Sequence, residues 1–342
     1  MVGLLADPKA GATVAGLAAV VAVAAWYFLA PDGHRPMRQE PPSFVLCETD
    51  YGESCSRGQP VRWLVDFYKP LQLRAGSILT TGRRPVVLHV GASNFRDDIP
   101  EYQPLLAAIT EGIGRTPRLV LVEPEQEHRA QLLQRYKDLG LQADDVTVVT
   151  TAMNNNCNGS YVQYIFSDRL FDDFAPEGQR KSCRQSLRSW RSFTKARLAN
   201  AIRGVAEDPT FTSGQGSSGT FNQFHHVIVP MVIRIHKAGN VSEYIEEIPV
   251  PCMGAPELMA EADFKMSDVA MMTVDAEGFD IPILTSFIAQ ASFEPTVMRW
   301  EGKLEDAAAE EVLTYFSARG YFMGKNGYSH SKDVIGYRGP PV

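Results

Sequence analysis

Residues 84–95 read RPVVLHVGASNF, and the fold is decided there. An aliphatic, mostly β-branched run that stops abruptly at Gly91-Ala92-Ser93 is the pattern of a buried parallel strand, residues 85–90, entering a tight turn. Downstream, residues 102–113 have helical composition. PRLVLVEP at 117–124 then repeats the design, with a short all-apolar strand, Leu119 to Val122, ending in Glu123 and a proline. The next stretch, EQEHRAQLLQRYKDLG at 125–140, reads as a second helix. It sets Ala130, Leu132, Leu133 and Tyr136 at apolar positions, acids in its first turn and a stop at Gly140. VTVVTTA, residues 146–152, is the third strand. Strand and helix in alternation predict an α/β fold: a Rossmann-like, doubly wound, mostly parallel sheet with helices on both faces, whose ligands bind beyond the carboxyl ends of the strands.

Further along, residues 167–220 break this rhythm and read as an insertion. It holds a polar helix-like segment, 180–203, and the loop TSGQGSSGT at 212–220. HHVIVPMVIRI (225–235) and YIEEIPVP (244–251) look like strands or edge segments. SDVAMMTVDAEGFDIPIL (267–284) supplies another apolar strand, ending in Asp275, and PTVMRWEG (295–302) one more, ending in Glu301. Toward the N-terminus, residues 10–31 carry no charge and contain Trp26 and Tyr27 near one end, which predicts a single membrane-spanning helix. The organisation expected is a tail (1–9), a transmembrane anchor (10–31), a Pro-rich stalk (32–60) and a folded body (61–342) with the insertion within it. The few flanking charges, Lys9 before the span and Arg35 and Arg38 after it, favour a cytosolic body. The sequons Asn158-Gly159-Ser160 and Asn240-Val241-Ser242 would suit a lumenal one.

The composition narrows the function. Across 342 residues, 33 Lys and Arg against 40 Asp and Glu give a net charge of -7, so nothing suggests a nucleic-acid partner. Five cysteines without a CxxC pair support neither a zinc knuckle nor a disulfide scaffold, and Cys157 and Cys252 read as small buried hydrophobes. No metal site is expected, because His225 and His226 would point to opposite faces of a strand and no spacing completes a ligand set with His236.

Three strand ends carry acids, Glu123, Asp275 and Glu301, with Glu277 just past the turn, and such carboxylates converge on one crevice of a parallel sheet. An acid ending the second strand accepts from both hydroxyls of a ribose, and Gly91 lets the backbone come close to a ligand. Neither G-x-G-x-x-G nor GxxxxGK[ST] occurs, and Glu123 lies 32 residues after Gly91 rather than about 20. That combination suits a nucleoside cofactor without phosphates, of which S-adenosylmethionine is the commonest.

Taken together, VVLHVGASNF, LVLVEPEQEHRAQLLQRY, VTVVTTAMNNNCNGSYVQYIF and the run from IPVPC to VMRWEG resemble the successive motifs of FkbM-type methyltransferases, over roughly residues 85–165 and 220–325. TVDAEGFD is similar to the D-x-E-G-x-(E/D) block of that family. The resemblance implies a class I S-adenosylmethionine-dependent enzyme that methylates a hydroxyl of a carbohydrate, glycolipid or small molecule. It implies a cofactor loop of Val90, Gly91, Ala92, Ser93 and Asn94, a ribose acid at Glu123 with Pro124 beside it, and Ala152, Met153 and Asp275 completing the cofactor site. Asp275 and Glu277 are the catalytic candidates, and Glu301, His225 and His226 the substrate-side ones. The chain departs from the family at His89, where an acid is usual, and at Phe95, where a second glycine is common. Those departures motivate an alternative, an inactive Rossmann-like body acting as a membrane-tethered scaffold. Residues 180–203 hold eight Lys and Arg and no acid, fit to lie on an anionic surface or cover a phosphorylated substrate, with a solvated basic face as the plainer reading.

Overall fold

The run Val86–Val90 forms strand β1, and all five of its residues are buried. Its side chains alternate between two cores, as a strand's period of two requires. Val86, Leu88 and Val90 face one core and Val87 the other. The computed structural model describes residues 67–342 except 97, 189, 209–226, 277, 302–308, 326–332 and 339–342. All of them lie in one compact unit.

In chain order, α1 (Tyr68–Thr80), β1, α2 (Ile99–Ile113), β2 (Arg118–Val122), α3 (Gln126–Leu132), α4 (Arg135–Leu139) and β3 (Val146–Val149) form the first half. An excursion follows: β4 (Ala152–Met153), β5 (Ser160–Phe166), α5 (Asp168–Phe174), α6 (Arg180–Arg188), α7 (Lys195–Glu207), α8 (Val229–Ala238) and β6 (Ile245–Met253). The second half is α9 (Ala255–Glu261), β7 (Val269–Val274), α10 (Asp280–Ile288), β8 (Val297–Glu301), α11 (Glu310–Ala318), β9 (Phe322–Lys325) and β10 (Asp333–Tyr337).

Seven strands make the main sheet in the order β3-β2-β1-β7-β8-β10-β9. The strands from β3 through β8 run parallel, and β10 is antiparallel to both neighbours. From β1 the chain winds outward through β2 and β3, then returns to β1's other side with β7. The strand order therefore reverses between β1 and β7, which is where an open α/β sheet leaves a crevice for a ligand. Helices α1 and α2 cover one face over Val87, Leu119 and Leu121. On the other face α9, α10 and α11 pack over Val86, Leu88, Met272 and the fully buried Trp300. Each such side chain contributes about 1.5–3 kcal/mol by leaving water.

The excursion makes a second sheet, β4-β6-β5, and its own core of Phe166, Phe171, Leu187, Leu198, Ile202 and Val232. Here three sequence expectations change. Residues 225–235, expected as a strand or edge, contribute to helix α8 from Val229 onward. Its buried Ile228, Val229, Met231, Val232 and Ile235 follow helical spacing, and Pro230 sits in the first turn where a missing N–H costs nothing. The third strand, expected over 146–152, is divided: β3 pairs with β2, whereas Ala152 and Met153 pair with Cys252 and Met253 in the other sheet. The basic segment 180–203 is two helices, broken where Ser192 bridges Tyr164 on β5.

The membrane localisation is also corrected. Among the described residues no helix is long and apolar enough to cross a membrane, and residues 10–31, on which that expectation rested, lie outside them. A Cys157–Cys252 disulfide removes the preference for a cytosolic body as well, since disulfides persist in oxidising compartments and are rare in the cytosol. Both cysteines are expected from sequence as small buried hydrophobes, and the bridge is invisible there because the partners are 95 residues apart. The pairing of Ser160 with Pro251 on β5 and β6 is what brings them together. Closing so long a loop restricts the unfolded chain, so reduction is expected to cost about 2–5 kcal/mol. Thermal melts with and without dithiothreitol check this, and coincident melts would show that the bridge does not form.

Candidate active site at the carboxyl edge of the sheet

Backbone hydrogen bonds bring the loops after β1, β2 and β7 together. Gly91 and Ala92 donate N–H groups to the Val122 carbonyl at 2.9 and 3.1 Å, and the Asp275 N–H reaches the Val90 carbonyl at 2.9 Å. Gly91 has φ +84°, and its α-carbon lies so near β7 that a side-chain carbon would sit 1.8 Å from the Asp275 carbonyl oxygen. Around this junction is a small cavity of about 70 Å³. Val90, Gly91 and Ser93 line it from the first loop and Glu123 and Pro124 from the second, with Ala152 and Met153 from β4 and Asp275 from the end of β7. Asn94 lines a neighbouring cavity of about 910 Å³, and Ala92 is buried in the α1–α2 core. Glu301 lines neither cavity. It pairs with Arg197 of α7 at 2.8 Å, and its N–H is accepted by Asp280. Glu277, His225 and His226 lie outside the described residues.

Glu123 is buried and acts first as a brace. One carboxylate oxygen accepts the Ser93 N–H at 2.8 Å and the other the Glu125 N–H at 2.9 Å. A carboxylate offers about four acceptor sites, so two remain for a ligand's hydroxyls. Asn94 closes a local turn by accepting the Arg96 N–H, leaving its amide NH2 as a donor.

His89 and Phe95 pack on each other. Phe95 takes φ +57°, the left-handed conformation that a glycine would adopt there. Its buried ring lies 5.3 Å from His89 and 4.9 Å from Tyr102. Burial lowers the pKa of His89, so a neutral imidazole sits among aromatics where an unpaired carboxylate would be costly.

Several site residues carried no readable signal. Glu125 is held by the Arg191 guanidinium from the segment between α6 and α7. His128 Nδ1 lies 3.2 Å from Glu125. Burial raises the Glu125 pKa against the pull of Arg191 and His128. Burial also lowers that of His128, but the Glu123 and Glu125 carboxylates outweigh it and the net shift is upward. Glu123, Glu125 and His128 have ligand atoms within 4.8 Å of one another, a spacing that also suits a cation. Arg191 already supplies positive charge there. Phe193 packs on Tyr161 and Phe279 at 5.6 and 5.0 Å, so residues 190–194 form a strap across the crevice, stitched to β5 through Ser192.

Asp280 organises the loop that carries Asp275. Its carboxylate accepts from the N–H groups of Ala276, Gly278 and Glu301 at 3.4, 3.2 and 3.2 Å. Burial, then the Glu301 charge, push its pKa from 3.8 to about 7. The raised value means the fold favours the neutral acid. That contribution is complete below the unfolded pKa and is lost as pH rises through about 7. Asp280→Asn is therefore expected to flatten the fall of Tm between about pH 4 and 7, and parallel Tm–pH curves for the two proteins would refute the assignment.

No family model matches the chain, and no curated protein does. Among solved structures it aligns with precorrin-6y C5,15-methyltransferase from Geobacter metallireducens GS-15 at 8% identity, over 84% of this chain and 93% of that one, with a TM-score of 0.29. So loose a superposition has no bearing on this chain's chemistry, which rests on its own residues.

Proposed function

We propose that the chain is an S-adenosylmethionine-dependent methyltransferase of the FkbM type, acting on a hydroxyl of a carbohydrate, glycolipid or small-molecule acceptor. One observation carries this reading: residues named for the cofactor from four separate segments line one cavity at the strand-order reversal. The donor set suits the cofactor. Glu123 keeps acceptor sites for a ribose, the side chains of Val90, Val122, Pro124 and Met153 offer an apolar surface for a base, and Gly91 leaves the loop open to close approach. When bound, the cofactor supplies an electrophilic methyl group on a sulfonium. Asp275, exposed beside Gly91, is the base assigned to the acceptor's hydroxyl proton, because a carboxylate within hydrogen-bond reach suffices for that step.

The cavity under the strap is smaller than the ~300–1,000 Å³ of usual small-molecule sites. It shares Ser93, Glu125, His128 and Arg191 with the larger cavity, so cofactor entry requires the Arg191–Glu125 pair to part. The same occlusion favours the second reading, a body that binds partners without catalysis. Calorimetric titration of the full chain with S-adenosylmethionine and S-adenosylhomocysteine separates the two. Micromolar binding supports the enzyme, and no heat at millimolar ligand leaves the scaffold.

A further inference from the structure

The cavity of about 910 Å³ outside the strap gathers five Lys and Arg side chains against two Glu in an otherwise acidic chain. Arg96 enters it from the loop after β1, Arg180, Lys181 and Arg184 from the first turns of α6, and Arg191 from the strap. Three of these charges are already matched: Arg191 by Glu125, Arg180 by Asp172 at 3.2 Å and Arg184 by Asp168 at 3.1 Å. Arg96 and Lys181 are exposed, and neither has an ion-pair partner among the described residues. Glu127, Gln131 and Asn94 also line the cavity wall, and these groups hydrogen-bond hydroxyls.

We propose that this cavity binds an anionic, hydroxyl-bearing acceptor, with the phosphate or sulfate monoester of a sugar-like molecule seated between Arg96 and Lys181. Two unmatched cations at the mouth of a concave site raise the local concentration of anions, and the N-terminal turn of α6 adds partial positive charge to the same wall. Arginine's fork suits the oxygens of an ester anion, whereas a neutral sugar would leave both cations without a counter-charge. Calling the ligand an acceptor rests on the methyltransferase reading, but binding of the anion does not.

The test uses the full chain and four probes in calorimetry: glucose 6-phosphate, glucose 6-sulfate, inorganic phosphate and glucose. Glucose 6-phosphate is expected to bind at least about tenfold more tightly than glucose, and to weaken about tenfold between ~50 mM and ~0.5 M NaCl. Arg96→Glu with Lys181→Glu is expected to abolish the preference while leaving S-adenosylmethionine binding unchanged. Both side chains are exposed, and Arg96→Gln with Lys181→Gln serves if the charge reversal unfolds the chain. Equal affinity for glucose and its phosphate, or a preference untouched by the substitutions, overturns the proposal. The sulfate arm separates a requirement for a dianion from one for any ester anion, and inorganic phosphate binding as well as the sugar phosphate would overturn the role of the hydroxyl wall. Anion binding without S-adenosylmethionine binding would remove the methyltransferase reading and keep this site. Cofactor binding without anion preference would do the reverse.

Discussion

Gly91→Ala is expected to lower stability by about 3–5 kcal/mol and Tm by about 10 °C, or to prevent soluble expression. Two costs combine. The residue sits at φ +84°, where an alanine is strained by about 1 kcal/mol. Its new carbon would also lie 1.8 Å from the Asp275 carbonyl oxygen and 2.5 Å from the carbonyl carbon. Those are backbone atoms of a loop tied to β1 through the Asp275 N–H, so neither side can give without parting β1 from β7. Gly140→Ala is the control. It has φ +71° with nothing within 4 Å, and should show the conformational cost alone. If thermal melts of the two variants shift equally, the close approach of β1 and β7 is wrong.

Glu123→Ala is expected to weaken S-adenosylmethionine binding at least about 100-fold, because two charge-assisted hydrogen bonds to a ribose are worth about 1.5–3 kcal/mol each. The same change orphans the N–H groups of Ser93 and Glu125, for a stability loss of about 1–3 kcal/mol each. Glu123→Gln separates the roles. Its amide keeps one acceptor and the side chain's shape, so it should recover more stability than affinity. Calorimetry and thermal melts on both variants decide the matter. Wild-type affinity in Glu123→Gln would assign the acid to bracing the loops alone.

Much of the fold was legible because strands and helices bury side chains at fixed periods. The five buried residues of β1, the Glu123 strand end and the Asp275 strand end each follow from a local run of sequence, and their parallel order follows from the alternation with helices. Local pattern also misled where two periods overlap. In VIVPMVIRI the β-branched residues suggest a strand, but Ile228, Val232 and Ile235 share a helical face that finds its core against α5, α6 and α7.

The sequence by itself determined the doubly wound sheet and the crevice at its carboxyl edge, with Gly91, Glu123 and Asp275 at the ends of their strands. Only the tertiary structure decided which distant groups meet: Arg191 on Glu125 across 66 positions and Cys157 on Cys252 across 95. The physical reason is that periodicity states which side of the backbone leaves water. Which distant charge or thiol satisfies a buried group depends on how the excursion from β4 to β6 docks, and no local run of residues encodes that.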